Sequence, residues 1–212
     1  PGAELLLGHC YFFGRGVARD PGVAAAWYRL AADKGVAEAQ CCFGECCEDG
    51  VGVARDAAEA AAYYVRAADQ GDVRAMANVA ECYAFGNGVP VDYTQALKWL
   101  KQAANLGHRG CTACVGWCYH GARGVAAQDM VQAVRWWRRG AELRDPECTS
   151  NLGWCHKSGQ GVRWDPAEAA RWWHRGADLG DLPALFNLGQ SYCTGDGVTQ
   201  DLAEGVRWYR LA

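Results

Sequence analysis

A turn sequence ending in Gly-Val occurs six times in this chain of 212 residues, and its even spacing constrains the fold more than any other feature. Successive valines of the turn are 36, 36, 36, 37 and 36 residues apart. A fixed period in this range is typical of solenoids, in which one supersecondary unit stacks on its neighbours. The six valines are Val17, Val53, Val89, Val125, Val162 and Val198.

The segment before each turn has the pattern of a helix. An apolar residue, then a glycine or alanine, and mostly a tyrosine three residues later lie on one helical face, and the small residue lets a second helix approach closely. The apolar column is Leu7, Phe43, Val79, Val115, Leu152 and Leu188. The column ending this face is Tyr11, Cys47, Tyr83, Tyr119, His156 and Tyr192.

The turn itself predicts the end of this first helix and the start of a second. Glycines in the turn are expected to adopt positive φ, and the valine is expected to enter the core. An aspartate then stands at each N-cap position, and Glu or Gln follows three residues later in five of the six copies, as in a capping box. These aspartates are Asp20, Asp56, Asp92, Asp129, Asp165 and Asp201.

The second helix carries two neighbouring columns of large side chains, which we expect to form a buried aromatic core. The first column is Trp27, Tyr63, Trp99, Trp136, Trp172 and Trp208, and the second is Tyr28, Tyr64, Leu100, Trp137, Trp173 and Tyr209. Small residues follow and a glycine ends most copies, although Arg144 replaces it in the fourth. The sequence therefore predicts an all-α solenoid of about six helix-turn-helix repeats of 36 residues.

The repeats together predict one domain over residues 1–212, with approximate bounds at 1–36, 37–72, 73–108, 109–145, 146–181 and 182–212. Both ends fall inside expected helices, so we expect the chain to be a piece of a longer protein.

The run A-x-x-x-L-G-x-x-Y-x-x-G-x-G-V-x-x-D-x-x-x-A-x-x-W-Y-x-x-A-A resembles the Sel-one-like repeat (SLR) family, which is related to tetratricopeptide repeats. The resemblance covers essentially the whole chain. It implies a right-handed α-solenoid that acts as an adaptor in multiprotein assemblies.

Charge and hydropathy narrow the classes of partner. The net charge is −3, which gives no electrostatic footprint for nucleic acid. No stretch approaches the roughly 20 apolar residues of a membrane-spanning helix. The expected partners are therefore proteins, with neither nucleic acid nor a direct membrane span.

Twelve cysteines are the most ambiguous feature of the composition. Cysteine-rich secreted members of the same family link the two helices of a repeat by a disulfide. This chain has the early cysteine of that pattern at Cys111 and Cys148, but an alanine at every late position, so that framework is not expected. Six equivalent positions are instead interpreted as small buried residues between helices. They are Cys10, Cys46, Cys82, Cys118, Cys155 and Ser191.

Unpaired thiols in this number favour a reducing compartment, such as the cytoplasm or an organelle stroma or matrix, over a secretory lumen. The alternative is a metal or redox module. Cys111, Cys114 and Cys118 share one helix face and would hold zinc if His108 or His120 completed the set. No second Cys-x-x-Cys accompanies them, so no metal, cofactor or redox group is predicted.

No catalytic pattern stands out from the repeats, so no enzyme activity and no catalytic residue are predicted. Glycine turns between helices lack the strand that a dinucleotide-binding fingerprint requires. The basic aromatic runs that begin at Arg135 and Arg171 suggest RNA binding, but their tryptophans belong to the expected core. The arginines are interpreted as a solvated stripe.

The most variable positions of the first helices predict a binding groove. By analogy with tetratricopeptide solenoids, the residue after the small Gly or Ala faces a concave surface. The groove would be acidic early and aromatic later, and Trp is frequent among interface hot spots. The alternative is that the tryptophans thicken the core. The candidate partner-binding residues are Trp117, Trp154, His120, Lys157, Glu45, Glu48, Glu81 and Gln190.

The predicted function is a non-enzymatic scaffold or adaptor that binds a protein segment in this groove. The alternative is a structural subunit of a large assembly, held by its outer faces and ends.

Overall fold

The computed structural model describes residues 2–212, which form twelve helices and no strand. The all-α repeat fold is confirmed. The first helices of the repeats carry odd numbers and the second helices even numbers: α1 Gly2–Phe13, α2 Pro21–Asp33, α3 Ala37–Asp49, α4 Ala57–Asp69, α5 Val73–Phe85, α6 Tyr93–Asn105, α7 Arg109–His120, α8 Met130–Glu142, α9 Pro146–Ser158, α10 Pro166–Asp178, α11 Leu182–Thr194 and α12 Leu202–Leu211.

The chain divides into two compact units, of which unit 1 ends at Leu106 and unit 2 begins at Gly107. In each unit, three helical hairpins form from consecutive helices, and each second helix packs against the first helix of the next hairpin. Each unit is thus a short helical solenoid. A single continuous domain over residues 1–212 stays a prediction.

Aspartates begin all six second helices, as predicted. In each case the carboxylate accepts a backbone N–H two or three residues into the helix, for example from Glu59 to Asp56 at 2.9 Å. Two of the glutamates that follow three residues after the N-cap bind arginines instead of the N-cap backbone. Glu168 accepts from Arg171 at 2.9 Å and Glu204 accepts from Arg207 at 2.8 Å. Helix starts therefore rest on the aspartate half of the box.

Glycines at positive φ end most helices, again as predicted, because a left-handed residue lets the last carbonyls find donors. Two positions break this rule. Ala122 has φ 53° and Arg144 has φ 59°, and both stand where the other repeats have glycine. Both lie in unit 2.

The small residue of the first helix lies directly under the second aromatic column. A Cβ on Gly44 would overlap the ring of Tyr64, and one on Gly116 or Gly153 would overlap Trp137 or Trp173. These rings are buried, so the predicted close approach is confirmed.

Two burial predictions were wrong in degree. Trp136 and Trp172 of the first aromatic column are half-buried, because an arginine rather than a helix covers a face of each ring: Arg139 Cζ lies 5.4 Å from the Trp136 ring centroid and Arg175 Cζ lies 4.5 Å from that of Trp172. The turn valines are also not fully buried. Val162 contacts the core cluster around Trp137 but stays half-buried, since a turn residue at the edge of a hairpin is covered on one side only.

Among residues 2–212, no helix is both long enough and apolar enough to cross a bilayer.

Candidate protein-binding surface

The candidate surface is the solvent-exposed face of the first helices, which we call the first-helix face. It is built from residues two positions after the apolar column, namely His9, Glu45 and Glu81 in unit 1 and Trp117, Trp154 and Gln190 in unit 2. The small residue between these two positions brings the second-helix ring up to the backbone. The side chain that follows can therefore contact that ring while remaining open to solvent.

In unit 2 this face carries a set of contacting aromatic rings, the Trp-His-Trp cluster (Trp117, His120 and Trp154). The imidazole of His120 lies edge-on to both indoles, with ring centroids 5.2 Å from Trp117 and 5.8 Å from Trp154. Beneath it, the buried Trp137 ring lies 5.3 Å from Trp117. Spacings of this size are those of favourable aromatic pairs, so the cluster is held in place before any partner arrives.

Both indoles of the cluster remain open to solvent: Trp117 is 40% exposed and Trp154 is 39% exposed. The Trp117 Nε1–H donates to Glu147 Oε1 at 2.6 Å, which fixes the ring orientation from the next first helix. A groove of about 360 Å³ runs beside the cluster. The tryptophans therefore both pack on the core and present a surface.

The groove is completed by polar side chains that the sequence reasoning missed. Asn151 and Asn187 line it together with Ser150 and Pro183, and the Nδ2 group of Asn151 is buried without a hydrogen-bond partner. An unpartnered donor in such a place can donate a hydrogen bond to a ligand carbonyl. The signal was present in the sequence, because asparagine stands immediately before the apolar column at Asn78, Asn151 and Asn187.

Two other predicted residues of unit 2 lie apart from this groove lining. Lys157 forms an ion pair with Asp196 in the turn after α11. Gln190 is exposed on α11, where its carbonyl accepts from Thr194 Oγ1 at 2.9 Å. The structure thus brings together Trp117, Trp154 and His120, and directs Lys157 to an acidic neighbour.

The acidic residues of unit 1 differ in how much of their charge is already engaged. Glu48 accepts a hydrogen bond from the Tyr64 hydroxyl at 2.7 Å. Glu45 forms an ion pair with Arg74 at 3.8 Å, and burial raises the pKa of its carboxyl although the Arg74 charge opposes that shift. Glu81 is exposed. The Glu81 carboxylate is therefore available to a partner, and the Glu45 carboxylate is only partly neutralised by Arg74. The Glu48 carboxylate is already hydrogen-bonded within its own repeat.

The cysteines are distributed as packing residues. Cys46, Cys82, Cys155 and Ser191 of the column are buried, and Cys10 and Cys118 are half-buried. Burial raises the pKa of Cys82 to about 11 and of Cys155 to about 12. Thiols held in the neutral form are poor nucleophiles and poor metal ligands at neutral pH.

The zinc alternative gains no geometric support. Cys111 is buried, Cys114 is exposed and Cys118 is half-buried. The His108 ring accepts the Cys111 backbone N–H at 3.1 Å, which makes it the N-cap of α7. Over residues 2–212, no three His, Cys, Asp or Glu side chains are grouped so that they could hold a metal ion.

Comparison with known proteins identifies the family to which these repeats correspond. The Sel1 repeat profile matches residues 1–36, 37–72, 73–108, 113–145, 146–181 and 182–212. No curated protein sequence matches the chain.

Two solved structures are similar over the whole chain. A protective antigen of uropathogenic Escherichia coli with an SLR fold is 33% identical with a TM-score of 0.95, over 99% of this chain and 45% of the antigen. A Sel1 repeat protein from Oxalobacter formigenes is 30% identical with a TM-score of 0.85, over all of this chain and 84% of its own. This chain thus spans less than half the length of the antigen.

A more distant likeness shows the fold alone: an immunity protein from Pseudomonas aeruginosa is 14% identical with a TM-score of 0.55, over 97% of this chain and 80% of its own. Sel1 repeat proteins generally mediate protein–protein interactions, and their fold is typically non-enzymatic. Six profile matches, the phased helical hairpins and the two similar structures together show that the chain belongs to the Sel1 repeat family.

Proposed function

We propose that this chain is a non-enzymatic scaffold that binds a segment of a partner protein on the first-helix face of unit 2. The observation that carries the proposal is the Trp-His-Trp cluster, in which two indoles are each about two-fifths exposed and fixed by neighbouring rings. Large, rigid aromatic side chains lose little conformational entropy on binding, and desolvating an indole typically contributes about 2 kcal/mol or more at a hot spot.

The groove beside the cluster suits a peptide segment. Its volume of about 360 Å³ falls within the range of small-ligand sites, and Asn151 and Asn187 contribute amide groups to its lining. The aromatic rings would take apolar side chains of the segment, and the amides would hydrogen-bond its backbone.

Acidic residues of unit 1 add selectivity to the proposal. Glu45 and Glu81 would favour a partner with a basic segment, mainly through the encounter rate and through the rejection of acidic competitors. Glu48 contributes less, since its carboxylate already accepts from Tyr64.

The test compares the double variant Trp117→Ala/Trp154→Ala with Trp164→Ala. Trp164 is 63% exposed in the connection between α9 and α10, so it matches the chemistry of the change but lies off the face. Peptides selected on the wild-type chain from a random display library serve as ligands, and binding is measured by calorimetry. We expect at least tenfold weaker binding for the double variant and no change for Trp164→Ala.

Circular dichroism and thermal melting accompany the binding measurement. If the double variant remains helical yet binds as tightly as the wild type, the groove is not the site, and attachment through outer faces becomes the better account. A double variant that melts while its folded fraction binds normally leads to the same rejection.

The charge contribution has its own test. Glu45→Gln/Glu81→Gln should lower the association rate of a basic ligand several-fold at low salt, and the difference should shrink as salt screens the charges. Glu142→Gln, which alters an exposed carboxylate of α8 in unit 2, is the control and should leave the association rate unchanged at low and at high salt. An unchanged association rate in the double variant would remove these carboxylates from the proposal.

A further inference from the structure

Unit 1 contains a small pocket with aromatic walls that none of the predicted roles uses fully. It has a volume of about 200 Å³ and lies between α1, α2, α3 and the start of α5. The rings of His9, Phe12, Phe13 and Tyr28 line it. Sites for small molecules usually measure about 300–1,000 Å³, so this pocket suits one long side chain.

Carboxylates stand beside these rings. Glu45 and Asp49, four residues apart and hence neighbours on α3, both line the pocket, and Arg74 of α5 supplies the one full positive charge. Arg74 Nη1 lies 3.8 Å from Glu45 Oε1, at the long end of ion-pair distances. No side chain in the described part of the chain forms an ion pair with Asp49. The charge of the lining is therefore net negative.

We propose that this pocket binds the side chain of an arginine in the partner's basic segment. The inference rests on the proposed scaffold function and names what the acidic part of unit 1 recognises. Methylene groups of the arginine would lie against the phenyl and phenol rings. Its planar guanidinium would stack on a ring and donate to Glu45 and Asp49 in the forked geometry that carboxylates accept.

The chain itself shows that guanidinium groups suit this environment. Arg15 places its Cζ 5.1 Å from the ring centroid of Phe13, which is a cation–π distance. Arg74 donates towards the Cys42 sulfur at 3.9 Å while pairing with Glu45. An ammonium group is a compact and strongly hydrated charge that neither stacks nor forks, which is why we commit to arginine rather than lysine.

The electrostatics of Glu45 agree with an incompletely neutralised pocket. Burial raises the pKa of this carboxyl, Asp72 and Asp49 raise it further, and neither Arg74 nor the bond from Cys41 fully compensates. A second cation at this position would stabilise the ionised form of Glu45, and the ionised carboxylate would in turn bind the cation more strongly.

The test uses capped tripeptides that need no knowledge of the partner. Ala-Arg-Ala, Ala-Lys-Ala and Ala-norleucine-Ala are titrated into the full chain, and binding is followed by NMR of the aromatic ring protons. We expect saturable shifts in the rings of Phe12, Phe13 and Tyr28 with the arginine peptide, at least fivefold weaker binding of the lysine peptide, and no saturable binding of the norleucine peptide.

Variants separate charge from shape. Glu45→Gln/Asp49→Asn should weaken binding of the arginine peptide at least tenfold, while Asp69→Asn, which alters an exposed carboxylate of α4 outside the pocket lining, should leave it unchanged. Spectral dispersion confirms that the variants are folded. Equal binding of the norleucine peptide, equal or tighter binding of the lysine peptide, or undiminished binding by the folded double variant would each overturn the proposal.

The pocket proposal and the unit 2 groove proposal can be rejected independently of each other. Trp117→Ala/Trp154→Ala should leave the arginine-peptide titration unchanged, because neither tryptophan lines the pocket. If that variant keeps its affinity for display-selected ligands, the groove proposal fails, whereas this titration still decides the pocket. If it weakens the arginine-peptide titration tenfold while remaining folded, the pocket proposal is wrong.

Discussion

Unit 1 and unit 2 have the same helical hairpins but differ at the second aromatic column, and this difference sets the chemistry of the first-helix face. In unit 1 the column carries two tyrosines and then Leu100: the Tyr64 hydroxyl donates to Glu48 at 2.7 Å, and the Tyr28 hydroxyl and His9 Nδ1 lie 3.0 Å apart. In unit 2 it carries two tryptophans and then Tyr209, and the Trp137 ring supports Trp117 by stacking edge to face. The tyrosine hydroxyls bind polar side chains of the first helix, whereas the Trp137 indole packs against another aromatic ring.

The charges follow the same division. Residues 1–106 contain 9 Lys and Arg and 13 Asp and Glu, a net charge of −4, whereas residues 107–212 contain 12 and 11, a net charge of +1. One repeat architecture can therefore present an acidic, hydroxyl-bonded face or an aromatic face, depending on one ring position in the second helix.

The largest expected contrast concerns thiol reactivity. Burial raises the pKa of Cys42, Cys47 and Cys82 in unit 1 to about 11, whereas Cys114 in unit 2 is exposed. Raised thiol pKa values mean that these groups stay protonated until the pH approaches 11, and only the thiolate reacts. At pH 8 we expect these three thiols to be alkylated about a hundredfold more slowly than in the denatured chain, since the pKa rises by about two units, and the exposed Cys114 to be labelled before them.

Alkylation sites are read by peptide mass spectrometry over time. Denaturation under non-reducing conditions is the control, and all twelve cysteines should then react if the chain comes from a reducing compartment. Fast labelling of Cys42 in the folded chain would contradict the burial assigned to unit 1.

The second prediction removes the ring that supports the aromatic face. Trp137→Ala should destabilise the fold by about 3–5 kcal/mol, since the side chain is fully buried and its truncation leaves a cavity. Urea denaturation measures the change. Trp164→Ala, which truncates an exposed indole, should cost less than about 0.5 kcal/mol. Equal effects of the two changes would mean that Trp137 is not a core residue.

The third prediction tests the hydroxyl contacts of unit 1. Tyr64→Phe should cost about 2 kcal/mol, because it leaves the Glu48 carboxylate without its donor, and bonds to charged groups contribute about 1.5–3 kcal/mol. Tyr28→Phe should cost less, because its partner is an imidazole. A double-mutant cycle with Glu48→Gln measures the pairwise part. A negligible effect of Tyr64→Phe would show that water replaces the hydroxyl.

The smallest effect concerns backbone strain, which is found only in unit 2 among the described non-glycine residues. Ala122→Gly and Arg144→Gly should each stabilise the chain by about 1 kcal/mol, since positive φ is costly for residues with a Cβ. The melting temperature should rise by about 2–4 °C for each change.

The matched reverse is Gly71→Ala in unit 1, at the repeat position equivalent to Arg144. Its φ is 93° and a Cβ there would contact nothing, so a loss of about 1 kcal/mol isolates the backbone term. If Arg144→Gly destabilises the chain instead, contacts of the arginine side chain outweigh the strain.

The aspartate caps, the glycine turns and the small-residue column could all be predicted, because each depends on local backbone geometry that repeats with the sequence. The burial of Trp136 and the turn valines was overestimated, because a column position states which residues share a face but not what covers that face. Asn151 was missed as a groove residue for the same reason: its neighbours come from other helices.

The sequence by itself determined the number of repeats, the helix starts and stops, and which residues occupy equivalent places, since period and capping are local properties of the chain. Only the tertiary structure decided which equivalent side chains are available. Glu45, Glu48 and Glu81 all appear acidic in the sequence, yet packing gives the first an arginine neighbour, binds the second to Tyr64 and exposes the third. That division depends on distances between helices, and no repeat pattern contains them.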